Sequence, residues 1–417
     1  MRPASFRVVN VWITVLCLLA ALFCLNGLAS AQAAAGSKHK PAQQSLLSAH
    51  PVARMAAAKK AARKALPPLT PDAWTGTAGD GQWTTAGNWS TGVPLVGDAV
   101  TIGTASAAVS LAASQTGAFG TLTLSNSGDS LTLDNNSELE ASGNISNAGT
   151  MTMSASGNVT ELFLENSLTL SGSGTVNLNT TNGSYSGYVN GVAGTTLTTS
   201  SNITGAGTVA DTDLNLVNSG TINANISGQT LTVDPDTCTG CASTNSGTLE
   251  ATGGAILTLQ GGTWTQSGAG KITAAASSTV NLTNSVSITG GTLSTTGSGV
   301  ISDAANQAVF LTNVTNTGNY EIQNNGATEI SGTLTNNGTI TMEAAGNVTE
   351  LYLTGNTTLS GSGTVVLSTT NNDWTGYING VAGTVLTNQS TITGWGTVGN
   401  GAVEVSNASN GVINSNI

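Results

Sequence analysis

From Thr121 to the end of the chain, short runs recur in which apolar and polar residues alternate. Thr121-Leu122-Thr123-Leu124, Leu131-Thr132-Leu133, Met151-Thr152-Met153, Leu168-Thr169-Leu170, Leu231-Thr232-Val233, Leu257-Thr258-Leu259 and Thr339-Ile340-Thr341-Met342 each place aliphatic side chains on one face and threonine on the other. A period of two is the signature of a strand with one buried face, and threonine is a good β-former. Asn-x-Gly and Gly-x-Gly triplets between the runs predict turns, with glycine supplying a positive φ. A polar, Gly-rich chain with 7% charged residues also suits a disordered tract, but the alternation gives each run an apolar face that needs burial.

The turn and the strand recur together, at Asn147-Ala148-Gly149-Thr150, Gly172-Ser173-Gly174-Thr175, Gly205-Ala206-Gly207-Thr208, Asn218-Ser219-Gly220-Thr221, Asn245-Ser246-Gly247-Thr248, Gly268-Ala269-Gly270-Lys271 and Asn336-Asn337-Gly338-Thr339. A spacing of one to three dozen residues, most often in the twenties, is one coil of a β-solenoid. So short a unit buries its apolar strip only by stacking on the next. The predicted fold is all-β, a right-handed parallel β-helix over residues 103–417, roughly 60 Å long at about 4.8 Å per coil. A longer repeat is superimposed. Gly157-Asn158-Val159-Thr160-Glu161-Leu162-Phe163-Leu164 returns as Gly346-Asn347-Val348-Thr349-Glu350-Leu351-Tyr352-Leu353, and Gly187-Tyr188-Val189-Asn190-Gly191 as Gly376-Tyr377-Ile378-Asn379-Gly380, both 189 residues later. The expectation is a duplicated block of roughly eight coils. The sequence also stops at Ile417 within a coil that continues in the first copy, so truncation, or end-to-end self-association through an open coil, is expected.

Charge divides the chain. Every one of the 21 acidic residues lies beyond Ala65, where Lys271 is the single base, whereas residues 32–71 form a basic, Ala- and Pro-rich linker with Lys38, Lys40, Arg54, Lys59, Lys60, Arg63 and Lys64. So acidic a body repels nucleic acid, which excludes DNA or RNA as its partner. The basic stretch from Val52 to Leu66 suits either a short helix on an anionic surface or a solvated linker. Residues 1–31 carry Arg2 and Arg7, an apolar run from Val8 to Leu28 and then Ala29-Ser30-Ala31, the order of a signal peptide cleaved after Ala31 or Ala33; a retained anchor is the alternative. The expected location is secreted or on the outer cell surface. Of four cysteines, Cys17 and Cys24 lie in the signal peptide, leaving Cys238 and Cys241 as a loop-stapling disulfide or two idle thiols. No zinc site and no cofactor is predicted, since both histidines, His39 and His50, lie in the linker.

Residues 72–102 hold Trp74-Thr75-Gly76, Gly81-Gln82-Trp83, Asn88-Trp89, Gly92-Val93-Pro94 and Gly97-Asp98-Ala99-Val100-Thr101-Ile102. Three tryptophans ahead of an aromatic-poor body predict a cap on the first coil, because a solenoid end exposes apolar core and unpaired backbone. This segment resembles the lead-in of large bacterial secreted β-helical repeat proteins, among them autotransporter-like passengers. The resemblance implies an exported, adhesive stalk; the membrane-barrel pattern of a true autotransporter is missing from the C-terminal end.

Candidate chemistry is sparse. The pairs Asp211-x-Asp213 and Asp234-x-Asp236 are the nearest approach to the two carboxylates of a glycosidase, and are expected to be solvated loop acids. Either could hold Ca²⁺, but the Gly-Gly-x-Gly-x-Asp calcium coil is absent and no metal is assigned. Glu161 and its copy Glu350 are expected at solvent-facing strand ends. Tyr185 with Tyr188, and Trp374 with Tyr377, are candidate ledges for stacking on sugars, or else pack against the coil. The expected function is structural or adhesin-like, without catalysis and with glycans or surface polymers as partners; a carbohydrate-binding or polysaccharide-degrading β-helix is the alternative.

Overall fold

The computed structural model describes residues 70–181, 187–237, 241–370 and 376–415. The signal-peptide, basic-linker and histidine readings lie outside these residues. The architecture is a parallel β-solenoid of about thirteen turns with almost no helix. Each turn contributes three strands, which stack as three ladders. The first runs from Asp98–Ile102 through Thr121–Leu124, Leu168–Ser171 and Leu214–Asn218 to Gly396–Val398. The second starts at Ala108–Leu111 and Ser130–Leu133, and the third at Thr116–Phe119 and Glu138–Ala141.

Burial follows the alternation. Thr121–Leu124 and Thr230–Val233 bury leucine and valine inward while threonine stays on the outer face. Parallel, in-register stacking then sets like on like. In the third ladder Leu139, Leu162, Val189, Val209, Val233, Leu259 and Leu282 form one interior column. Truncating one such leucine to alanine in a packed interior costs about 2–5 kcal/mol.

Glycine at the Asn-x-Gly corners is needed for a different reason from the one expected. Gly149, Gly220, Gly247 and Gly338 are absent from the positive-φ residues; a Cβ there would instead collide with the carbonyl oxygen of Asp129, Ser201, Gly220 and Gly318 of the preceding coil. Close approach of successive coils excludes a side chain. Asparagine supplies the rest of the corner: Asn218 accepts from the Gly220 N–H at 3.1 Å, and its Nδ2 donates to Asn245 Oδ1 at 2.7 Å. Asn245 passes the chain on to Gln266 at 2.7 Å, and Asn316 to Asn336 at 2.9 Å. These buried amides satisfy backbone groups that the turn takes out of the ladders. Where glycine replaces the asparagine, as at Gly172 and Gly361, φ does become positive, at 105° and 101°.

The long repeat spans roughly eight coils, as expected, but not a whole number of them. Starting from Thr160–Leu164, the third ladder climbs eight rungs to Thr339–Ala344. The copy of Thr160–Leu164, however, is the next strand along, Thr349–Leu353, which pairs with Ala327–Ile330 in the first ladder. The block therefore spans eight and one third turns, so the second copy faces a direction one third of a turn away. A residue count cannot show this, because coil length varies with the corners.

At the N-terminal end Thr70–Ala73 pairs with Asp98–Ile102 as a further rung. Trp74, Trp83 and Trp89 are buried beside it, edge to face at centroid distances of 4.9 and 4.8 Å, and Trp89 Nε1 donates to Trp83 O at 2.6 Å. Asp80 ties the loop together, accepting from Gln82 N–H at 3.0 Å, Thr85 Oγ1 at 2.7 Å and Asn88 Nδ2 at 2.6 Å, and these bonds lower its pKa. The cluster is consistent with a cap.

Candidate functional site

The two aspartate pairs, far apart in the sequence, come together on consecutive coils. Asn202–Val209 ends in the third ladder with Val209 beside Val233, so Ala210 and Asp234 follow side by side. Thr212 N–H donates to Asp234 O at 2.6 Å and Asp236 N–H to Leu214 O at 2.9 Å, which lays residues 210–214 against 234–236. One coil earlier, Val189 pairs with Val209, placing Asn190 in the same outward column.

The loop-acid reading is corrected for Asp234, which is buried, while Asp211, Asp213 and Asp236 are half-buried. Asp234 is 4% exposed and Asn190 fully buried, although both point away from the interior. Burial, followed by the charge of Asp211, raises the Asp234 pKa to about 7 against the opposing bond from Gln260 Nε2 at 2.8 Å. Burial, then Asp211 and Asp236, raises that of Asp213 to about 6; the Asn190 amide, which faces this carboxylate without reaching hydrogen-bond geometry, opposes the shift. Asp213 Oδ2, Asp234 Oδ1 and both side-chain atoms of Asn190 are buried without a hydrogen-bond partner. Ala210, Asp211 and Thr212 stand at φ of 84°, 43° and 67°, three successive left-handed residues without a glycine. Sequence reading picked out the aspartates but missed Asn190 and Gln260; an asparagine retained at 190 and 379 within an otherwise apolar repeat is the signal that could have found the first.

A second polar group lies inside the solenoid. In the third-ladder column Asp303 follows Leu282 and precedes Ile322. Thr328 Oγ1 donates to Asp303 Oδ2 at 2.8 Å and lies 2.9 Å from Tyr320 OH. Burial raises the Asp303 pKa to about 7 against the Thr328 bond, and raises the Tyr320 pKa well above its usual value. The sequence reading missed this group, although the alternation already puts Asp303 on the inward side with Ile301.

The other candidates are dispersed. Tyr188 is 4% exposed, so its ring is packed away rather than displayed, and Tyr377 is half-buried; Tyr185 and Trp374 lie outside the described residues. Tyr188 stands in the third ladder and Tyr377 in the first, so these two tyrosines stand on different sides of the solenoid. Glu161, expected at a solvent-facing strand end, is 8% exposed beside buried Phe163, because residues on the outer side of this strand are covered. Glu350 is half-buried. Cys241 is disulfide-bonded, and Cys238 lies outside the described residues. At the last coil Trp395, Val412 and Ile413 are exposed, flanking a groove that reaches Leu367 and Ile392. Among the described residues no helix is long and apolar enough to cross a membrane.

No family model, no curated protein and no solved structure matches this chain.

Proposed function

We propose that this chain is a structural, adhesin-like solenoid of the secreted or cell-surface type, acting by presenting polar rows to glycans or surface polymers. The observation that carries the reading is the outer face of the second ladder. Thr150, Thr152 and Ser154 stack on Thr175, Asn177 and Asn179, followed by Asn202 and Thr204 and then Thr221 and Asn223. Thr150 and Asn202 are exposed and the others half-buried, none fully buried, and such rows of hydroxyls and amides are suited to hydrogen-bonding a neutral polymer along its length. The order of residues 1–31 and the Trp-rich lead-in support export and the likeness to autotransporter-like stalks.

The test is a glycan and cell-wall-polymer array probed with the full chain and with a Thr152→Lys, Asn177→Lys, Thr204→Lys variant. Binding by the first that the second loses supports the reading, and an array on which both are silent contradicts it. The converging aspartates favour a second reading, polysaccharide cleavage, because a hydrolase needs a carboxyl kept protonated near neutral pH. Cleavage of a polysaccharide that Asp213→Asn or Asp234→Asn abolishes would replace the adhesin reading with it.

A further inference from the structure

Aromatic side chains are scarce in the coils, and those that are not buried gather on one side. Beyond the tryptophan cap, Phe119, Phe163, Tyr188, Trp264 and Tyr320 are buried, whereas among the described residues Phe310, Tyr352 and Tyr377 are half-buried and Trp395 is exposed. Phe310, Glu329 and Tyr352 are successive register partners in the first ladder, and Glu350 pairs with Tyr377 in the neighbouring column. Trp395 directly precedes the next strand of that ladder, Gly396–Val398. Leu311, Ile330, Leu351 and Ile378, which alternate with these residues, are buried, so the rings and both carboxylates face outward. Rungs stand about 4.8 Å apart, which spaces Phe310 and Tyr352 along the axis with a carboxylate between them. Burial, then the charges of Glu329 and Glu350, raises the Tyr352 pKa, so both acids lie within electrostatic reach of its ring.

The first copy of the repeat holds the same set of residues and covers it. Glu140, Glu161, Phe163 and Tyr188 stand where Glu329, Glu350, Tyr352 and Tyr377 recur. Glu161, Phe163 and Tyr188 are buried and Val192 packs on Phe163, whereas Val381, the counterpart of Val192, is exposed. Buried Ala206 is replaced by exposed Trp395. The second copy therefore displays what the first packs away, and adds a ring to it.

We propose that this face binds an amino-sugar polysaccharide, with Phe310, Tyr352, Tyr377 and Trp395 stacking on its pyranose rings and Glu329 and Glu350 accepting from its ammonium groups. The proposal rests on the glycan reading above and adds to the polar rows a second face with its own ligand class. The C–H face of a pyranose is apolar and packs on an aromatic ring. A polymer bearing carboxylates or phosphates is repelled, because the face is acidic and Lys271, the single base among the described residues, lies in the second ladder. A neutral sugar strips water from the two carboxylates and returns no charge. An ammonium group makes charge-assisted hydrogen bonds with them and is also drawn to the tyrosine faces.

The experiment is calorimetric titration of the full chain with a β-linked glucosamine oligosaccharide and with its N-acetylated counterpart of equal length, at about pH 6, where glutamate is ionised and an amine protonated. The amine form is expected to bind at least about tenfold more tightly, and to weaken as salt is raised. Tyr352→Ala and Tyr377→Ala each lower its affinity by about threefold to fivefold, the size of an exposed ring contact. The Glu329→Gln, Glu350→Gln double variant keeps its circular dichroism spectrum and loses the preference for the amine. The Thr152→Lys, Asn177→Lys, Thr204→Lys variant, altered on the second ladder, keeps this binding. Failure to bind the amine form would overturn the proposal, as would equal affinity for both forms or a preference that survives the double glutamate variant. Such a failure, with other glycans bound on the array, leaves the reading of the polar rows standing.

Discussion

Two corners of this molecule share one backbone and differ in what it costs to hold it. In the first copy of the repeat the corner is Ala210-Asp211-Thr212-Asp213; in the second it is Gly399-Asn400-Gly401-Ala402. The hydrogen bonds within the corner and to the preceding coil correspond. Ala210 N–H donates to Val189 O at 2.9 Å and Gly399 N–H to Ile378 O at 2.8 Å, while Asp213 and Ala402 close back on residues 210 and 399 at 3.0 and 2.9 Å. Both corners hold three successive left-handed residues, at 84°, 43° and 67° in the first and 89°, 37° and 73° in the second. Glycine visits that region freely and asparagine tolerates it, whereas other residues strain by about 1–2 kcal/mol each. The second copy therefore shows how the corner is made with little strain. The first copy accepts strain and like-charge repulsion at one place, whereas a buried amide oxygen without a hydrogen-bond partner is common to both copies, at Asn190 and Asn379.

The largest expected effect falls where the two copies agree. Gly149→Ala and Gly338→Ala, at equivalent corners, each push a methyl group into the carbonyl of the coil beneath. Each loses about 3 kcal/mol or more in urea unfolding, with similar losses in both copies. A loss confined to one copy would show that the corners are not structurally equivalent.

Transplanting the second corner onto the first, as Ala210→Gly, Asp211→Asn, Thr212→Gly, Asp213→Ala, works in the opposite direction. Relief of strain and repulsion outweighs the added unfolded-state entropy of glycine, for a gain of roughly 2 kcal/mol at pH 8. The reverse graft into the second copy destabilises by a similar amount. Stabilisation by both grafts would remove the distinction between the corners.

Acidity sharpens the comparison further. Asp213, Asp234 and Asp303 have folded pKa values raised to about 6, 7 and 7. In the unfolded chain these acids ionise near 4, while the fold keeps them protonated, so stability falls as pH rises from about 4 to 7 and levels above that. The melting temperature is expected to be higher at pH 5 than at pH 8. Asp234→Asn flattens part of the slope, and Asp303→Leu, which fills the gap between Leu282 and Ile322, flattens another part. A melting temperature that rises steadily from pH 5 to 8 would contradict these shifts.

The solenoid was legible in the sequence because its rule is local: alternation fixes which side chains go inward, and short repeats force stacking. The acidic corner was only half legible. Asp211, Asp213, Asp234 and Asp236 stand out in a chain so poor in charge, but their meeting depends on the register of Val209 with Val233, which no single coil encodes. Asn190 was hidden because an outward-facing asparagine in a strand is ordinarily solvated, and its burial arises from neighbouring coils. The role of glycine was misread for a related reason, since the carbonyl of a preceding coil leaves no mark on the local sequence. The one-third turn between the copies accumulates over many corners of unequal length, and only strand pairing reveals it.

That winding is the central claim about how the chain is built, and cross-linking tests it most directly. Glu329 and Tyr352 are register partners in the first ladder, whereas Glu321 lies in the third. A Glu329→Cys, Tyr352→Cys pair is expected to form a disulfide under mild oxidation, because neighbouring strands stand about 4.8 Å apart; a Glu321→Cys, Tyr352→Cys pair stays reduced. Cross-linking of the second pair in place of the first, mapped by mass spectrometry, would return the copies to a whole number of turns and contradict the account.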